Sequence, residues 1–205
     1  MTLADGAQLS HPLRRGRPRN GSIDATVLAA AWRLLQEVGY PRLTISAVAT
    51  ASGLHTPAIY RRWSSKATLV IDALAQHLPP LSGQDTGAFA SDLLVVLREL
   101  AELWGAPRLR QCFIGLLADF PEEPGAALAF RERVIRPRSG PLQATMDRAV
   151  RRGELRADVS SNLVGDLIEG PLMHRVLIQE AEITDELLTA IVRATTTSLD
   201  VVAQG

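Results

Sequence analysis

Apolar residues recur every three or four positions along most of this chain, and no segment alternates strictly between apolar and polar residues. The first spacing is typical of helices that bury one face, whereas strict alternation indicates strands. The pattern therefore predicts an all-α fold of about nine helices. Pro137 and Pro141 are expected to kink or interrupt the seventh of them. The helices are predicted over residues 22–38, 45–52, 56–63, 66–78, 89–103, 107–119, 126–152, 160–179 and 184–202.

Residues 44–69 contain two short predicted helices joined by a glycine turn. Thr44 is a favourable N-cap for the first helix, and Gly53 allows the sharp turn that follows it. Pro57, a residue favoured in the first helical turn, begins the second helix, which is predicted to end near Trp63. Two short helices joined in this way predict a helix-turn-helix, whose second helix enters the major groove of DNA.

Polar and basic side chains occupy the outward-facing positions of this stretch. Thr44 can place its hydroxyl and the helix N–H groups on a phosphate, and Ala58 can touch a thymine methyl group. Arg61 and Arg62 can bind guanine or phosphate, although a solvated basic face is the alternative for both. The predicted DNA contacts in the stretch are Thr44, His55, Thr56, Ala58, Tyr60, Arg61 and Arg62.

Residues 1–21 have no apolar period, so we expect a flexible basic arm. The sequence Arg15-Gly16-Arg17-Pro18 resembles the core of an AT-hook, which lies in the narrow minor groove of A·T-rich DNA. A tail held by phosphates alone is the alternative, and the sequence leaves both open. The predicted contacts of the arm are Arg14, Arg15, Arg17 and Arg19.

The net charge of zero conceals two oppositely charged parts. Residues 1–80 hold nine of the 22 basic and four of the 22 acidic residues, a balance of +5, which leaves −5 for residues 81–205. This asymmetry suits a protein that presents one end to a polyanion. We divide the chain into the arm (1–21), a helix-turn-helix DNA-binding domain (22–80) and a ligand-binding and dimerisation domain (81–205).

The sequence offers little support for other classes of protein. It contains no glycine-rich phosphate loop, no plausible Ser/His/Asp order and no metal-ligand spacing, so we expect no enzyme, no metal and no cofactor. With Cys112 as its single cysteine, the chain can form no intrachain disulfide. No apolar run is long enough to span a bilayer and no signal peptide is evident, so we expect a cytoplasmic protein.

The chain resembles the tetracycline-repressor (TetR) family of bacterial transcriptional regulators. A residue-by-residue match runs from Ile23 to Leu78, and a less specific match to one C-terminal subgroup follows. The residues that carry the resemblance are Val38-Gly39-Tyr40, Leu43-Thr44-Ile45, Ala49, Ser52-Gly53-Leu54, Ile59-Tyr60-Arg61-Arg62-Trp63, Ser65-Lys66, Arg151-Arg152-Gly153-Glu154-Leu155 and Gly170-Pro171-Leu172.

The resemblance implies an all-α homodimer with a divergent C-terminal domain for a ligand. It implies phosphate contacts for Tyr60 and Lys66, and a packing role for Tyr60 is compatible with the first of these. Many members carry a small capping residue where this chain has His55, so the helix cap is expected to shift to Thr56. A ligand would shift the helix packing and move the two DNA-binding heads out of register.

A repressor of this kind would bind an inverted-repeat operator as a dimer. The alternatives are a regulator that activates or responds to no ligand, and a helical interaction module without an effector. The effector is expected to be small and apolar. Core packing is the competing role for the residues of both predicted sites below. The predicted ligand site comprises Trp104, Phe113, Leu116, Leu117, Phe120, Met146, Met173 and His174. The predicted dimer interface comprises Leu163, Val164, Leu167, Ile168, Leu187, Leu188, Ile191 and Val192.

Overall fold

The computed structural model describes residues 20–203, with side chains described for residues 21–199. All regular structure in this part of the chain is helical, which confirms the predicted fold class. The four arginines assigned to the basic arm lie outside the described residues. The α-helices are α1 (Asn20–Val38), α2 (Ile45–Ser52), α3 (Thr56–Tyr60), α4 (Lys66–His77), α5 (Phe89–Gly105), α6 (Pro107–Asp119), α7 (Pro124–Phe130), α8 (Arg136–Arg151), α9 (Ser161–Met173) and α10 (Asp185–Ala203).

Helices α1 to α4 form the N-terminal unit. Helix α1 packs against α2 and α4, and α2 packs against α3. The core of the unit includes Val48, Ile59 and Leu69, which are completely buried. A short 3₁₀ helix, Tyr40–Arg42, follows α1 and packs against α6 of the larger C-terminal part. The two parts of the chain therefore share a packed boundary.

Prolines shape the long helices of the C-terminal part without dividing them. Helix α7 continues through a π-helical segment, Arg131–Ile135, into α8, which contains Pro137 and Pro141. Proline has no N–H to donate to the preceding turn, and wide π turns accommodate such irregularities within a continuous helix. The chain therefore stays helical through Pro137 and Pro141, and the irregularity lies in the π segment before them. Helix α9 likewise contains Pro171 and continues into a second π segment, His174–Ile178.

Helices α5, α8, α9 and α10 pack against one another, and α6 packs against α5 and α1. Leu93, Leu97, Ile168 and Leu172 are fully buried at the centre of this C-terminal part. None of the helices within residues 20–203 is long and apolar enough to cross a membrane.

Candidate nucleic-acid interface and cavity

The helix-turn-helix geometry arises from short-range hydrogen bonds. The Thr44 hydroxyl caps α2 by accepting a bond from the Ala47 N–H at 3.1 Å. Gly53 adopts a left-handed conformation, with φ of 69°, so that α2 stops and the chain turns. No atom would lie within 4 Å of a Cβ at this position, so the glycine is needed for its backbone angle rather than for space.

Helix α3 occupies the position of a recognition helix and is only five residues long. His55 is its N-cap but makes no side-chain capping bond, and Thr56 is already helical, so the predicted shift of the cap to Thr56 does not occur. The helix ends at Tyr60 rather than Trp63, because Ser65 begins the capping box of α4 only two residues beyond Trp63. The short helix presents His55, Tyr60 and Arg61 to solvent, with Tyr60 53% exposed.

Two residues predicted to contact DNA, Arg62 and Lys66, also have partners within the protein. The Arg62 Nε lies 2.5 Å from Asp24 Oδ1 of α1, and Arg62 also donates to the Ala58 carbonyl. The Lys66 ammonium donates to the Tyr40 carbonyl at 3.3 Å and lies 4.0 Å from the centre of the Tyr40 ring. In this arrangement both cations position α3 and α4, and the solvent-facing donors are Thr44, His55, Tyr60 and Arg61. Ala58 and Thr56 are partly exposed beside them.

Tyr40 joins the recognition unit to α6. Its hydroxyl donates to the Asp119 carboxylate, and its ring is buried against the backbone of Gly115. A Cβ on Gly115 would lie 2.2 Å from the ring, so only glycine allows this approach. Burial and the bond to Asp119 raise the pKa of Tyr40 well above its usual range. Burial also raises the pKa of the neighbouring Cys112 thiol to about 12, and this rise is partly opposed by Lys66.

A second connection links α4 to the first π segment. The Trp63 indole N–H donates to Asp72 Oδ2 at 2.8 Å, and the Arg133 guanidinium donates to Asp72 Oδ1 at 2.6 Å. Asp72 thus accepts one bond from the end of the recognition stretch and one from the C-terminal part. The sequence analysis did not predict that Trp63, Asp72 and Arg133 contact one another.

A cavity of about 530 Å³ lies within the C-terminal part. Such a volume is typical of sites for small organic molecules. Six of the eight predicted ligand-site residues line it: Trp104, Phe113, Leu116, Leu117, Phe120 and Met173. The other two do not. Met146 lies one turn beyond Leu142, the last residue of α8 to reach the cavity, and is buried in the core. His174 follows Met173 around the helix onto an exposed face.

The sequence reasoning missed the polar lining of the cavity, which comes from α8 and α9. Arg138 and Ser139 lie on α8, and Asp166 and Glu169 lie on α9. The available signal was the spacing of the two carboxylates, three positions apart on an otherwise apolar helix. Leu78 and Leu81, which follow α4, also line the cavity and were assigned only to a helix end and a linker.

Most of the predicted dimer-interface residues are buried within the single chain. Val164, Ile168, Leu188, Ile191 and Val192 are at most 8% exposed, so they hold α9 and α10 against the domain and cannot form a surface for a partner. This burial corrects the prediction for those five residues. Leu163 is 45% exposed, and Leu167 and Leu187 are partly exposed.

Comparisons with known proteins agree with this architecture. Residues 84–195, over half of the chain, match the tetracyclin repressor-like C-terminal domain, and residues 27–73 match the bacterial regulatory proteins of the tetR family. The DNA-binding transcriptional repressor TetR of Mycobacteroides abscessus is 32% identical over 168 residues, which are 80% of this chain and 85% of that protein. An HTH-type transcriptional regulator of Bacillus subtilis (strain 168) is 28% identical over 87% of this chain and 90% of its own.

A solved structure gives the same result. The TetR family transcription regulator SCO0332 is 27% identical and superposes with a TM-score of 0.72, over 86% of this chain and 97% of that one. Both halves of the chain thus match the same family, which consists of regulators rather than enzymes. The chain belongs to the TetR family of DNA-binding transcriptional regulators.

Proposed function

We propose that this chain is a repressor that binds an inverted-repeat operator as a homodimer and is released when a small apolar molecule occupies the cavity. The observation that carries the proposal is that α6 serves both regions. Phe113 and Leu116 of α6 line the cavity, as does Phe120 directly after it, while Gly115 and Asp119 of the same helix hold Tyr40. A ligand that displaces α6 would therefore move Tyr40, which contacts Lys66.

Helix α4 provides a second route between the two regions. It begins at Lys66, beside the recognition helix, and ends at His77, directly before Leu78 in the cavity wall. Because a helix is stiff along its length, movement of Leu78 would be passed to the recognition stretch. The relative named as a transcriptional repressor supports repression rather than activation as the output.

The proposed dimer uses α9, the second π segment and α10. Ile178 is 72% exposed and Leu163 45% exposed, and the exposed side of α10 offers the small residues Thr189, Ala194 and Thr197. Apolar side chains beside small residues allow close packing of helices from two subunits. A two-fold pair would place one α3 in each of two successive major grooves.

The proposed DNA contacts can be tested by replacing both Tyr60 and Arg61 with alanine. The binding partner is a labelled duplex of the protein's own upstream promoter region, measured by fluorescence anisotropy at several salt concentrations. We expect the affinity to fall about 100-fold, and the salt dependence to weaken by roughly one phosphate contact, because one phosphate-binding cation is removed.

Arg151→Ala is the matched control, because Arg151 is an exposed arginine on α8, far along the chain from α3. It should bind the duplex like the unmodified protein. Sedimentation analysis should show the same oligomer for all three proteins. Unchanged affinity and salt dependence in the double variant would contradict the assignment of α3 as the recognition helix.

A further inference from the structure

The two sides of the cavity have different chemistry. One wall is an aromatic cluster from α5, α6 and α7, in which each ring contacts the next. Trp104 and Phe113 have ring centres 4.7 Å apart, Phe113 and Phe130 are 5.9 Å apart, and Phe130 and Phe120 are 5.6 Å apart. The faces of aromatic rings carry partial negative charge and attract cations as well as apolar groups.

Another part of the lining, from α8 and α9, carries two carboxylates and one guanidinium. Asp166 and Glu169 lie one turn apart on α9, and Arg138 lies on α8. Arg138 already donates to the Pro79 carbonyl, so part of its hydrogen-bonding capacity is used by the protein. With two acidic groups and one basic group, this wall has a formal charge of −1 when all three are ionised.

Glu169 is more buried than Asp166. Within residues 20–203 no side chain or backbone group donates a hydrogen bond to its carboxylate, and Arg138 acts on it only through space. Burial raises the pKa of Glu169, Arg138 opposes this rise, and Asp166 adds to it. A partly buried carboxylate without a donor favours a ligand that brings one.

The cavity opens to solvent beside apolar residues. Leu117 of α6 and Ile135 of the first π segment line the cavity and are also exposed, at 44% and 43%. The exposed lining residues are therefore of two kinds, because the acidic Asp166 is exposed as well.

From these features we infer that the effector is an apolar amine, whose ammonium N–H groups donate to Glu169 while its apolar part lies along the aromatic wall. The inference rests on the proposed function only in treating this cavity as the effector site. The ammonium group neutralises the acidic wall, and its bond to a carboxylate is of the strong, charge-assisted kind. An acid of the same shape would meet net negative charge.

Calorimetric titration of the full chain with three matched probes tests the inference: 6-phenylhexylamine, 6-phenylhexanol and 6-phenylhexanoate. They share the phenylalkyl group and differ in the terminal polar group. The amine is expected to bind about tenfold more tightly than the alcohol and the acid, since only it forms a charge-assisted bond with Glu169. Equal or tighter binding of the alcohol or the acid, or no binding of any probe, would overturn the inference.

The variant Glu169→Gln tests whether the preference for the amine comes from the Glu169 carboxylate. Glutamine has nearly the same shape and no charge, so amine affinity should fall about tenfold while alcohol affinity stays within about twofold. Glu182→Gln, which removes an exposed carboxylate near α10 that does not line this cavity, should change neither. Unchanged amine affinity in Glu169→Gln would show that the carboxylate is not the anchor.

Binding of the promoter duplex is measured separately, without probe. If the duplex binds and the amine does not, the inference about the effector fails and the proposed regulator stands. If the amine binds with the expected dependence on Glu169 and the duplex does not, the proposed operator-binding function fails and the amine site stands.

Discussion

The recognition stretch and the cavity are assembled in opposite ways. Residues 44–66 are shaped by contacts between near neighbours: the Thr44 cap on Ala47, the left-handed Gly53 and the Ser65 capping box. The cavity is lined by side chains spread from Leu78 to Met173 and exists only when the helices of the C-terminal part pack together. The turns and caps of the first region therefore depend on contacts between near neighbours, whereas the shape of the second depends on the packing of several helices.

The two regions meet at Tyr40, which belongs to neither. Its ring supports Lys66 at the start of α4, and its hydroxyl and ring contact Asp119 and Gly115 of α6. The recognition stretch is thus attached to the C-terminal part through a buried aromatic side chain, in addition to the link at Asp72. Three sets of variants test how strongly this attachment depends on close packing, on hydrogen bonding and on an ion pair.

The largest effect is expected for Gly115→Ala. The new Cβ would lie 2.2 Å from the Tyr40 ring, a distance that packed atoms do not tolerate, so the ring or α6 must move. We expect a loss of about 1–3 kcal/mol in the free energy of unfolding, which is the usual cost of overpacking a core. Urea denaturation followed by circular dichroism measures it.

Gly125→Ala is the matched control, because Gly125 also lies in a helix, has no atom within 4 Å of its Cβ position and does not precede a proline. Alanine should stabilise this helix by about 0.5–1 kcal/mol, since glycine costs more backbone entropy. Opposite signs for the two substitutions would locate the strain at the Tyr40 contact. If Gly115→Ala were also stabilising, α6 would not approach Tyr40 this closely in solution.

The distance along the chain between interacting residues explains which contacts could be predicted from the sequence. Thr44, Gly53 and the turn between the two short helices were predicted because their signals lie within a few residues of one another. The partners of Arg62 and Lys66 were not, because Asp24 lies 38 positions and Tyr40 26 positions away. The partners of both cations within the protein therefore did not enter the prediction, and their contacts with DNA stay a prediction.

The cavity shows the same limit of prediction from sequence. An apolar residue on an amphipathic helix can face a packed core or an empty space, and periodicity does not separate these outcomes. Six of the eight residues predicted to bind the ligand line the cavity, whereas Met146 lies in the core one turn beyond it, and ligand binding by these residues stays a prediction. Glu169 and Arg138 face the same space only because α8 and α9 pack side by side.

A smaller effect is expected for Tyr40→Phe, which keeps the ring and removes the bond to Asp119. We expect a loss of about 1–2 kcal/mol in the free energy of unfolding, somewhat reduced because water can reach the partly exposed Asp119. Lys66 retains its contact with the ring. Urea denaturation at pH 8 measures the loss, and Tyr40→Leu, which also removes the ring, should cost more.

The same variant gives a pH test. The folded-state pKa of Tyr40 is raised above its unfolded value, so the unfolded chain releases this proton first and stability is lost as pH rises above about 10. Tyr40→Phe lacks this contribution, so the stability difference between the two proteins should shrink between pH 8 and pH 10.5. A constant difference would show that the Tyr40 hydroxyl is not held in a buried hydrogen bond.

The smallest effect is expected for the ion pair between Asp72 and Arg133, the second link between the two regions. Arg133 is more than half exposed, so solvent screens the pair and Arg133→Gln should cost about 0.2–1 kcal/mol. Asp72→Asn removes the charge but keeps an oxygen that can accept the Trp63 N–H.

A double-mutant cycle from urea denaturation of the two single variants and the double variant isolates the coupling free energy of the pair. A positive coupling would mean that α4 is held on the body at Asp72 as well as at Tyr40, because the Asp72 carboxylate contacts both sides. A coupling of zero would mean that this ion pair does not help to hold α4 against the C-terminal part.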